Sequence, residues 1–337
     1  MPKISVIIPV YNTESYIDIC LDSLINQSFK DFEAICINDG SNDASLDILE
    51  RYSKFDKRIK VFSTENKGLS EARNYGVYLS KGKYITFVDS DDYISPVMLE
   101  IFYKNLEETG ADFVFGESIK INPLTDFISL WDYIKEGELK NFLKNPNQRY
   151  FKEKDVPSFF WGKINVCAWG KMYKRKFVED IKFPEGLIFE DLPHYTECYL
   201  KANKISFDFR KTYFYRTSRG DSIINSRQDK YLDVFKIYDL VEEIFKKYGV
   251  FEKYKNEFLY KKIRDCSLWL VKSVNETKEE MFKKYKEEFT NLELENFNDD
   301  FLNSKEVFHF LYGAVKLDFE NYLKYEKEMK QGGCRGN

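Results

Sequence analysis

Short apolar runs alternate with longer amphipathic segments over the first 115 residues of the chain. The short runs are rich in β-branched residues and predict strands, whereas apolar residues at i, i+3 and i+4 predict helices in the longer segments. The predicted strands cover residues 4–9, 33–38, 59–63, 83–89 and 112–115. The predicted helices cover residues 14–26, 45–55, 69–79 and 96–108. Because this alternation is typical of βαβ units, we expect an α/β domain with a Rossmann-like, mostly parallel sheet.

The pattern changes after this region. Between about residues 120 and 163 the periodicity is lost and prolines interrupt the chain, and a strand or hairpin is then predicted over 205–216. After residue 227, Lys- and Glu-rich amphipathic helices are predicted at about 230–248, 251–274, 278–289 and 304–330. We therefore expect an α/β domain over 1–225, with halves 1–118 and 119–225, a helical region over 226–331 and a flexible tail over 332–337.

Charge and cysteine content limit the possible classes of function. The 52 basic and 56 acidic residues give a net charge of −4, so nucleic acid is not expected as a partner. The six cysteines, including Cys334 in the tail, lack C-x-x-C spacing, which argues against a zinc ribbon or a disulfide framework. The apolar runs are too short for a signal peptide or a membrane-spanning helix. These features predict a cytoplasmic protein with reduced thiols.

Polar residues follow the predicted strands at the points where each strand ends. Pro9 and Tyr11 lie in P-V-Y-N after the first strand, Asp39 lies in N-D-G-S-N-D after the second, and D-S-D-D at 89–92 follows the fourth. Ligands of open α/β sheets bind beyond the carboxyl ends of the strands. We therefore expect these three turns to converge on one edge of the sheet.

The acidic cluster at 89–92 predicts a divalent metal site. Carboxylates as close as those of Asp89 and Asp91 repel each other, and a bound cation removes that repulsion. Mg²⁺ and Mn²⁺ fit, because Mg²⁺ in particular is commonly held by one or two carboxylates and the phosphates of a substrate. The alternative is that Asp91 or Asp92 only caps the helix that begins near Pro96. The position directly after an apolar strand favours the metal site.

The turn at Asp39 offers a contact to a nucleobase. A carboxylate there can accept a hydrogen bond from an imide N–H such as that of uracil. Alternatively the segment is only a turn, in which Ser41 or Asp43 caps the next helix. Tyr11 offers an aromatic face at the same edge, and a buried structural tyrosine is an equal alternative.

Arg73 lies in the first turns of a predicted helix, where the helix dipole favours anions. It is therefore a candidate for contact with a phosphate or a base. The alternative is a surface salt bridge with a nearby acid such as Glu71.

Four motifs in sequence order make a family resemblance specific. S-V-I-I-P-V-Y-N, N-D-G-S-N-D, N-K-G-L-S-E-A-R-N-Y-G and F-V-D-S-D-D together resemble family two of the inverting glycosyltransferases, which have the GT-A fold. The later W-G-K-M-Y block, an E-D pair and Y-F-Y-R-T-S-R-G-D-S-I are similar to the bacterial branch that builds surface polysaccharide and lipooligosaccharide. The resemblance covers residues 3 to about 225 and makes the two halves a donor half and an acceptor half.

The resemblance implies roles for individual residues. Asp39 is similar to the acid that contacts uracil, and Asp89 and Asp91 are similar to the D-x-D pair that holds Mn²⁺ or Mg²⁺, with Asp91 the closer ligand. Asn38 departs from the family, in which an acid is common at this position. The residues expected to bind the donor are Pro9, Tyr11, Asp39, Lys67, Arg73, Asp89, Ser90 and Asp91.

The E-D pair at Glu190 and Asp191 supplies the expected catalytic base. In an inverting transfer one carboxylate takes the proton of the acceptor hydroxyl, and Asp191 matches the base of the family. Glu190 is the alternative base or a partner of Asp191. The alternative is that both acids only stabilise the start of a predicted helix over 191–199, a position where acidic residues are favoured.

Four further residues are expected to contact the acceptor or the diphosphate. His194 and Trp169 are candidates for the acceptor side, and packing in the core explains each of them equally well. Arg216 and Arg219, together with Ser222, are candidates for covering the departing diphosphate.

We therefore predict an inverting transfer of a hexose or N-acetylhexosamine from a UDP-sugar to a saccharide or a lipid-linked saccharide. The rival functions are a metal-dependent nucleotidyltransferase and a non-catalytic sugar-binding module. The C-terminal helices are expected to pack in the protein, with peripheral contact to the inner membrane as the alternative. The sequence also leaves a homo-oligomer open.

Overall fold

The computed structural model describes residues 1–122, 127–130, 136–143, 145, 147–217, 228–291 and 314–332. The chain divides into two compact units, Met1–Arg219 and Gly220–Asn337. The first unit contains the sheet. The described part of the second unit is helical.

Ten strands lie in the described part of the first unit. They are β1 Ile4–Val10, β2 Phe32–Asp39, β3 Ile59–Thr64, β4 Tyr84–Phe87, β5 Tyr93–Ile94, β6 Phe113–Asn122, β7 Phe127–Leu130, β8 Tyr150–Phe151, β9 Lys171–Lys174 and β10 Ile205–Arg216. Its described helices are α1 Ile17–Ile25, α2 Ser45–Phe55, α3 Leu69–Leu79, α4 Met98–Thr109, α5 Glu136–Lys140, α6 Phe160–Lys163, α7 Arg175–Val178 and α8 Asp191–Lys201.

The strands form one sheet in the order β3-β2-β1-β4-β9-β6-β10-β5, with β7 on β6 and β8 on β10. Strands β1 to β4 pair in parallel, as the sequence predicts. All residues of β1 and β2 are buried, which explains their continuous apolar runs. The short strand β9 was not predicted, and it lies antiparallel between β4 and β6.

Helix α3 packs unusually close to β1. A Cβ atom added to Gly76 would lie 2.4 Å from Cγ2 of Ile7, so only glycine fits here without movement. Arg73 lies one turn earlier on the same helix, at the end nearer the carboxyl edge of the parallel strands. The close contact at Gly76 therefore fixes the position of Arg73 relative to the carboxyl edge of the sheet.

The predicted strand or hairpin over 205–216 is a single strand. Strand β10 runs parallel to β6 and antiparallel to β5, with register shifts between Asp208 and Lys211 and between Lys211 and Tyr213. These irregularities bend the strand and carry its end, Tyr213 to Arg216, to the loop that follows β4.

The second unit contains the helices α9 Asp233–Lys247, α10 Phe251–Lys272, α11 Asn275–Phe289 and α12 Phe319–Gly332. The first three match the predicted helices, whereas residues 304–313 of the fourth prediction and residues 333–337 of the predicted tail lie outside the described residues. Partly buried ion pairs join the helices, as between Lys262 and Glu288. Among the described helices, none combines the length and apolar character that crossing a bilayer requires.

Candidate active site

The D-S-D-D loop after β4 brings three carboxylates together. One oxygen of each of Asp89, Asp91 and Asp92 lies within 4.8 Å of the others. Asp89 and Asp91 are partly exposed, whereas Ser90 and Asp92 are buried. The loop therefore presents two carboxylates to solvent and keeps the third inside the protein.

Asp92 anchors the end of β10. Its Oδ2 accepts a hydrogen bond from Tyr213 Oη at 2.8 Å, and its Oδ1 accepts one from the Arg216 backbone N–H at 2.8 Å. The Tyr213 hydroxyl also accepts a hydrogen bond from the Asp89 N–H at 3.1 Å. Burial and the neighbouring acids raise the pKa of Asp92 well above its usual range. The alternative that Asp92 caps a helix is wrong, since α4 begins after Val97 and has no side-chain cap.

Arg73 joins the D-S-D-D loop to the E-D pair. Only 1% of its side chain is exposed, and its Nη2 donates to Asp89 Oδ1 at 3.0 Å. Its Nη1 donates to Glu190 Oε1 at 2.6 Å and to Asp191 Oδ1 at 2.9 Å. The alternative of a surface salt bridge with Glu71 is therefore wrong. These three carboxylates hold the pKa of Arg73 above its usual value, so the guanidinium stays charged.

Glu190 and Asp191 stand at the start of α8. Phe189, which precedes them, has a φ of 68°, a backbone conformation that a bulky residue rarely adopts. Glu190 is almost buried, whereas 19% of the Asp191 side chain is exposed. Both acids bind Arg73, and Asp191 is the more exposed of the two.

Burial shapes the protonation of both acids. Desolvation, with Asp191 as a neighbouring charge, raises the pKa of Glu190 to about 7. Desolvation also raises the pKa of Asp191, and Arg73 opposes that rise. The nearby Ala168 backbone N–H also opposes the rise in the pKa of Asp191. A carboxylate with a raised pKa is a stronger base, which suits proton abstraction.

Asp39 lies at the end of β2 and is buried. Its Oδ1 accepts a hydrogen bond from the Lys67 N–H at 2.9 Å, and its Oδ2 accepts one from the Gly68 N–H at 2.8 Å. Gly40 is required beside it, because an added Cβ would lie 2.8 Å from the Asn66 backbone nitrogen. Asp39 thus holds the loop that leads into α3 and Arg73.

The predicted donor-binding residues occupy the same edge with different exposure. Pro9 is buried in β1, whereas Tyr11 and the side chain of Lys67 are exposed. Asn12 holds the two turns together, since it receives a hydrogen bond from the Asn42 N–H and donates one to Ser41 Oγ. Asp43 accepts the Ser45 N–H within the turn, but α2 begins after Ala44 and has no side-chain cap, so the expected cap by Ser41 or Asp43 is wrong. The turns after β1, β2 and β4 therefore meet as predicted.

The candidates for the acceptor side lie at different depths. Arg216 is beside the acidic loop, since its Nε donates to the Asp91 carbonyl at 2.9 Å. Arg219 and Ser222 lie outside the described residues. Trp169 is buried and its ring stacks on Tyr213 with 4.5 Å between centroids, so the core alternative describes it.

His194 also belongs to the core. Its ring stacks on Phe183 at 3.8 Å between centroids, and only 2% of the residue is exposed. Burial, with Arg73 nearby, lowers its pKa to about 3, so the ring stays neutral. His194 therefore packs in the core and is not positioned to contact an acceptor or a diphosphate.

Comparison with known proteins assigns the family. The model for glycosyl transferase family 2 matches residues 5–182, which is more than half of the chain. The chain belongs to glycosyl transferase family 2. The family two prediction from the ordered motifs is therefore confirmed.

Individual relatives agree with this assignment. The chain is 36% identical over 220 residues to the glycosyltransferase GlyA of Streptococcus pneumoniae, a match that covers 65% of this chain and 31% of GlyA. It is 32% identical to the glycosyltransferase EpsH of Bacillus subtilis, with 76% of this chain and 73% of EpsH covered. The chain thus spans about a third of GlyA and most of EpsH.

A solved structure shows the fold. The crystal structure of S. aureus TarS 1–349 in complex with UDP-GlcNAc has a TM-score of 0.61 at 22% identity, with 98% of this chain and 92% of that chain covered. This likeness confirms the predicted GT-A type of α/β fold.

The described acidic loop fits a divalent cation. Asp92 is buried and binds Tyr213 and the Arg216 N–H, whereas Asp89 and Asp91 are partly exposed, so these two are the residues that would hold the ion. Mg²⁺ has six ligands in an octahedral arrangement. Two carboxylates fill only part of this shell, so phosphate oxygens of a substrate can supply further ligands. The structural role of Asp92 could not be inferred from sequence, because its partners lie more than 120 residues away.

Proposed function

We propose that this protein is a UDP-sugar-dependent inverting glycosyltransferase with Asp191 as its general base. The donor is a UDP-hexose or UDP-N-acetylhexosamine, and the acceptor is a saccharide or lipid-linked saccharide of a bacterial surface glycan. Family membership supports the reaction class. TarS, a structural neighbour, has been crystallised with UDP-GlcNAc, which supports a UDP-sugar donor.

One observation carries the proposal: a single buried guanidinium binds both the D-x-D acid and the E-D pair. Arg73 contacts Asp89 through one terminal nitrogen and both Glu190 and Asp191 through the other. The place where a diphosphate would bind and the acid that would act as base are therefore held in one rigid cluster. A transfer reaction needs this fixed geometry, because orientation of the reacting groups contributes much of the rate.

In the proposed reaction the acceptor hydroxyl oxygen attacks the anomeric carbon of the donor. Asp191 takes the proton of that hydroxyl while the bond from the anomeric carbon to the diphosphate oxygen breaks, and UDP leaves with the bonding electrons. Attack from the face opposite the leaving group inverts the anomeric configuration. Arg73 keeps the Asp191 carboxylate ionised and oriented for this step.

Asp89 and Asp91 are proposed to hold Mn²⁺ or Mg²⁺, which when bound neutralises negative charge on the UDP leaving group. Asp39 is proposed to contact uracil while it retains its bonds to the loop of Lys67 and Gly68. A carboxylate has about four lone-pair sites, so these bonds leave capacity for a base N–H. Arg216 is proposed to contact the diphosphate, since it already lies on the acidic loop.

The proposal is tested with Asp191→Asn. We expect kcat for sugar transfer to fall by about 10³-fold, since general-base catalysis typically contributes 10²–10⁴-fold, while the Kd for UDP with Mn²⁺ stays within about twofold. Asp180→Asn is the control, because Asp180 is exposed and lies outside the site. Transfer is measured with a panel of UDP-sugars, and UDP binding by isothermal titration.

Two results would contradict the proposal. Retained activity of Asp191→Asn would assign the base to another residue, with Glu190 first. If UDP binding does not depend on Mn²⁺ or Mg²⁺ in the wild type, the D-x-D assignment is wrong.

A further inference from the structure

Tyr213 on β10 has a hydroxyl that joins the two ends of the D-S-D-D loop. The residue is fully buried, with 0% of it exposed. Its hydroxyl accepts a hydrogen bond from the Asp89 backbone N–H at 3.1 Å and donates one to Asp92 Oδ2 at 2.8 Å. One atom from a distant strand therefore binds both the first and the last residue of the loop.

The four residues of this loop form a β-turn. The Asp92 backbone N–H donates to the Asp89 carbonyl oxygen at 3.0 Å, which is the hydrogen bond between first and fourth residues that closes such a turn. Asp89 is the first residue of the turn and Asp91 is the third, and both are partly exposed. The separation of these two carboxylates is thus set by the conformation of the turn.

The hydroxyl is itself held by contacts outside the turn. The Tyr213 ring stacks on Trp169, with 4.5 Å between centroids and 7° between the ring planes. The Tyr213 backbone lies in the sheet, where it is paired with Ser118 of β6 and with Ile94 of β5. The sheet and the core therefore fix the position of the hydroxyl, so that it can restrain the turn.

Asp89 is also restrained at its other polar groups. Arg73 Nη2 donates to its Oδ1 at 3.0 Å, and Cys20 Sγ donates to its carbonyl oxygen at 3.7 Å. Tyr213 supplies the partner for the backbone N–H. Without the hydroxyl this N–H loses that bond, and the buried Asp92 loses its bond at Oδ2. Because an unpaired buried polar group is costly, we expect the turn to leave this conformation when the hydroxyl is removed.

We propose that Tyr213 is a positioning residue for the cation site: its hydroxyl holds the turn at 89–92 in the conformation in which Asp89 and Asp91 bind one divalent cation together. This inference rests on the proposed function, in which these two carboxylates hold Mn²⁺ or Mg²⁺. The hydroxyl acts through the Asp89 N–H and through Asp92, and it is not proposed as a ligand. Removal of groups that orient metal ligands typically lowers metal affinity by about 10- to 100-fold.

The test is Tyr213→Phe, which removes the hydroxyl and keeps the ring that stacks on Trp169. Tyr84→Phe is the matched control. Tyr84 is also a buried tyrosine of the sheet, with 1% of the residue exposed, and its hydroxyl donates to Glu107 Oε1 at 2.7 Å. It is the first residue of β4, whereas the turn at 89–92 follows the other end of that strand.

Binding and stability are measured in the wild type and in both variants. The measured quantities are the Mn²⁺ concentration that gives half-maximal UDP binding at a fixed UDP concentration, the Kd for UDP with a chelator, and the unfolding temperature without ligand. For Tyr213→Phe we expect the half-maximal Mn²⁺ concentration to rise about tenfold, while the Kd for UDP with a chelator stays within about twofold. Tyr84→Phe should leave both binding quantities within about twofold of the wild type, although the loss of a buried hydrogen bond lowers the unfolding temperature of both variants.

A hydroxyl with only a structural role would change the unfolding temperature alone, so a wild-type Mn²⁺ requirement in Tyr213→Phe overturns the inference. An equal rise in the Kd for UDP with a chelator also overturns it, because the effect would then not be specific to the cation. If Tyr213→Phe is unfolded at the assay temperature, Asp92→Ala, which removes the acceptor of the hydroxyl, decides in its place by the same criterion.

The wild type separates this inference from the proposed function. If UDP binding by the wild type does not depend on Mn²⁺, the D-x-D assignment and this inference fail together. If the wild type depends on Mn²⁺ and Tyr213→Phe has the same requirement, the inference alone fails.

Discussion

At the scale of single residues, the site depends on one buried guanidinium surrounded by acids. Asp89, Glu190 and Asp191 are all within hydrogen-bonding distance of Arg73. Carboxylates this close to each other are stable together only because the cation compensates their repulsion. The arginine is therefore as important to the folded state as it is to the proposed chemistry.

Replacing Arg73 with Met should lower the free energy of unfolding by about 3–5 kcal/mol, because it leaves the buried Glu190 and the partly buried Asp89 and Asp191 without their cation. Arg51→Met is the control, since Arg51 pairs with Asp18 at an exposed position and should cost less than about 1 kcal/mol. Urea denaturation at neutral pH measures both. Equal losses in the two variants would contradict the structural role of Arg73.

Glu190 makes stability depend on pH. Its pKa in the folded protein is raised to about 7 from an ordinary value near 4.5, mainly by desolvation and also by Asp191. The folded state therefore binds more protons than the unfolded state between these pH values, so the contribution of Glu190 to stability is present below about pH 4.5 and is lost as pH rises to about 7. The charges of Asp191 and Asp89 also raise the pKa of Glu190, whereas the charge of Arg73 lowers it.

This prediction is measured by denaturant unfolding of the wild type and Glu190→Gln from pH 4.5 to 8. The variant carries no titrating group at position 190, so its free energy of unfolding should fall less across this range. A wild-type curve that parallels the variant would show that Glu190 does not titrate in the range.

At the scale of elements, the contact between α3 and β1 places the arginine. Gly76 faces Ile7 across this contact without space for a side-chain atom. A small residue at this position lets the helix lie close to the sheet, and the first turns of α3 then reach the acidic loop. The position of one glycine thus influences the geometry of groups one helical turn away.

Gly76→Ala should destabilise the protein by about 1–3 kcal/mol through overpacking and should also reduce kcat, because α3 must move away from β1 with Arg73 on it. Gly137→Ala in α5 is the control, since an added Cβ there has no atom within 4 Å. Alanine stabilises helices relative to glycine by about 0.5–1 kcal/mol, so the control should not destabilise. Thermal unfolding and transfer assays measure the two effects, and a neutral Gly76→Ala would contradict the close packing.

At the scale of the whole molecule, donor binding should couple to stability. A ligand that binds only the folded state stabilises it by RT ln(1 + [L]/Kd), which is about 2.7 kcal/mol at a hundredfold excess over Kd. UDP with Mn²⁺ should therefore raise the unfolding temperature of the wild type. A chelator should remove most of this increase, because the diphosphate would then face Asp89 and Asp91 without a cation.

The matched variant for this prediction is Asp91→Asn, which should lose the metal-dependent increase while it retains the unliganded unfolding temperature within a few degrees. Differential scanning calorimetry with UDP alone, Mn²⁺ alone and both together separates the contributions. If UDP with a chelator raises the unfolding temperature of the wild type as much as UDP with Mn²⁺ does, the metal site is contradicted.

The sequence by itself determined the first four strands, the helices between them and the order of the motifs. Helices α2 and α3 begin and end where their periodicity predicts, because apolar spacing and the flanking turns are local properties of the chain. The same reasoning located the acidic loop at the end of β4, since the carboxyl ends of parallel strands share one edge. Family two motifs then indicated the roles of Asp39, Asp89, Asp91 and Asp191.

Tertiary structure alone decided which side chains meet. Arg73 reaches Asp191 across 118 positions, and Tyr213 reaches Asp92 across 121. No local pattern encodes such partners, so Asp92 was predicted as a cap and is an anchor for β10, while His194 and Trp169 were candidates for the site and are buried in the core. Local periodicity gives the position of a residue along an element, whereas burial and hydrogen-bond partners depend on how distant segments pack.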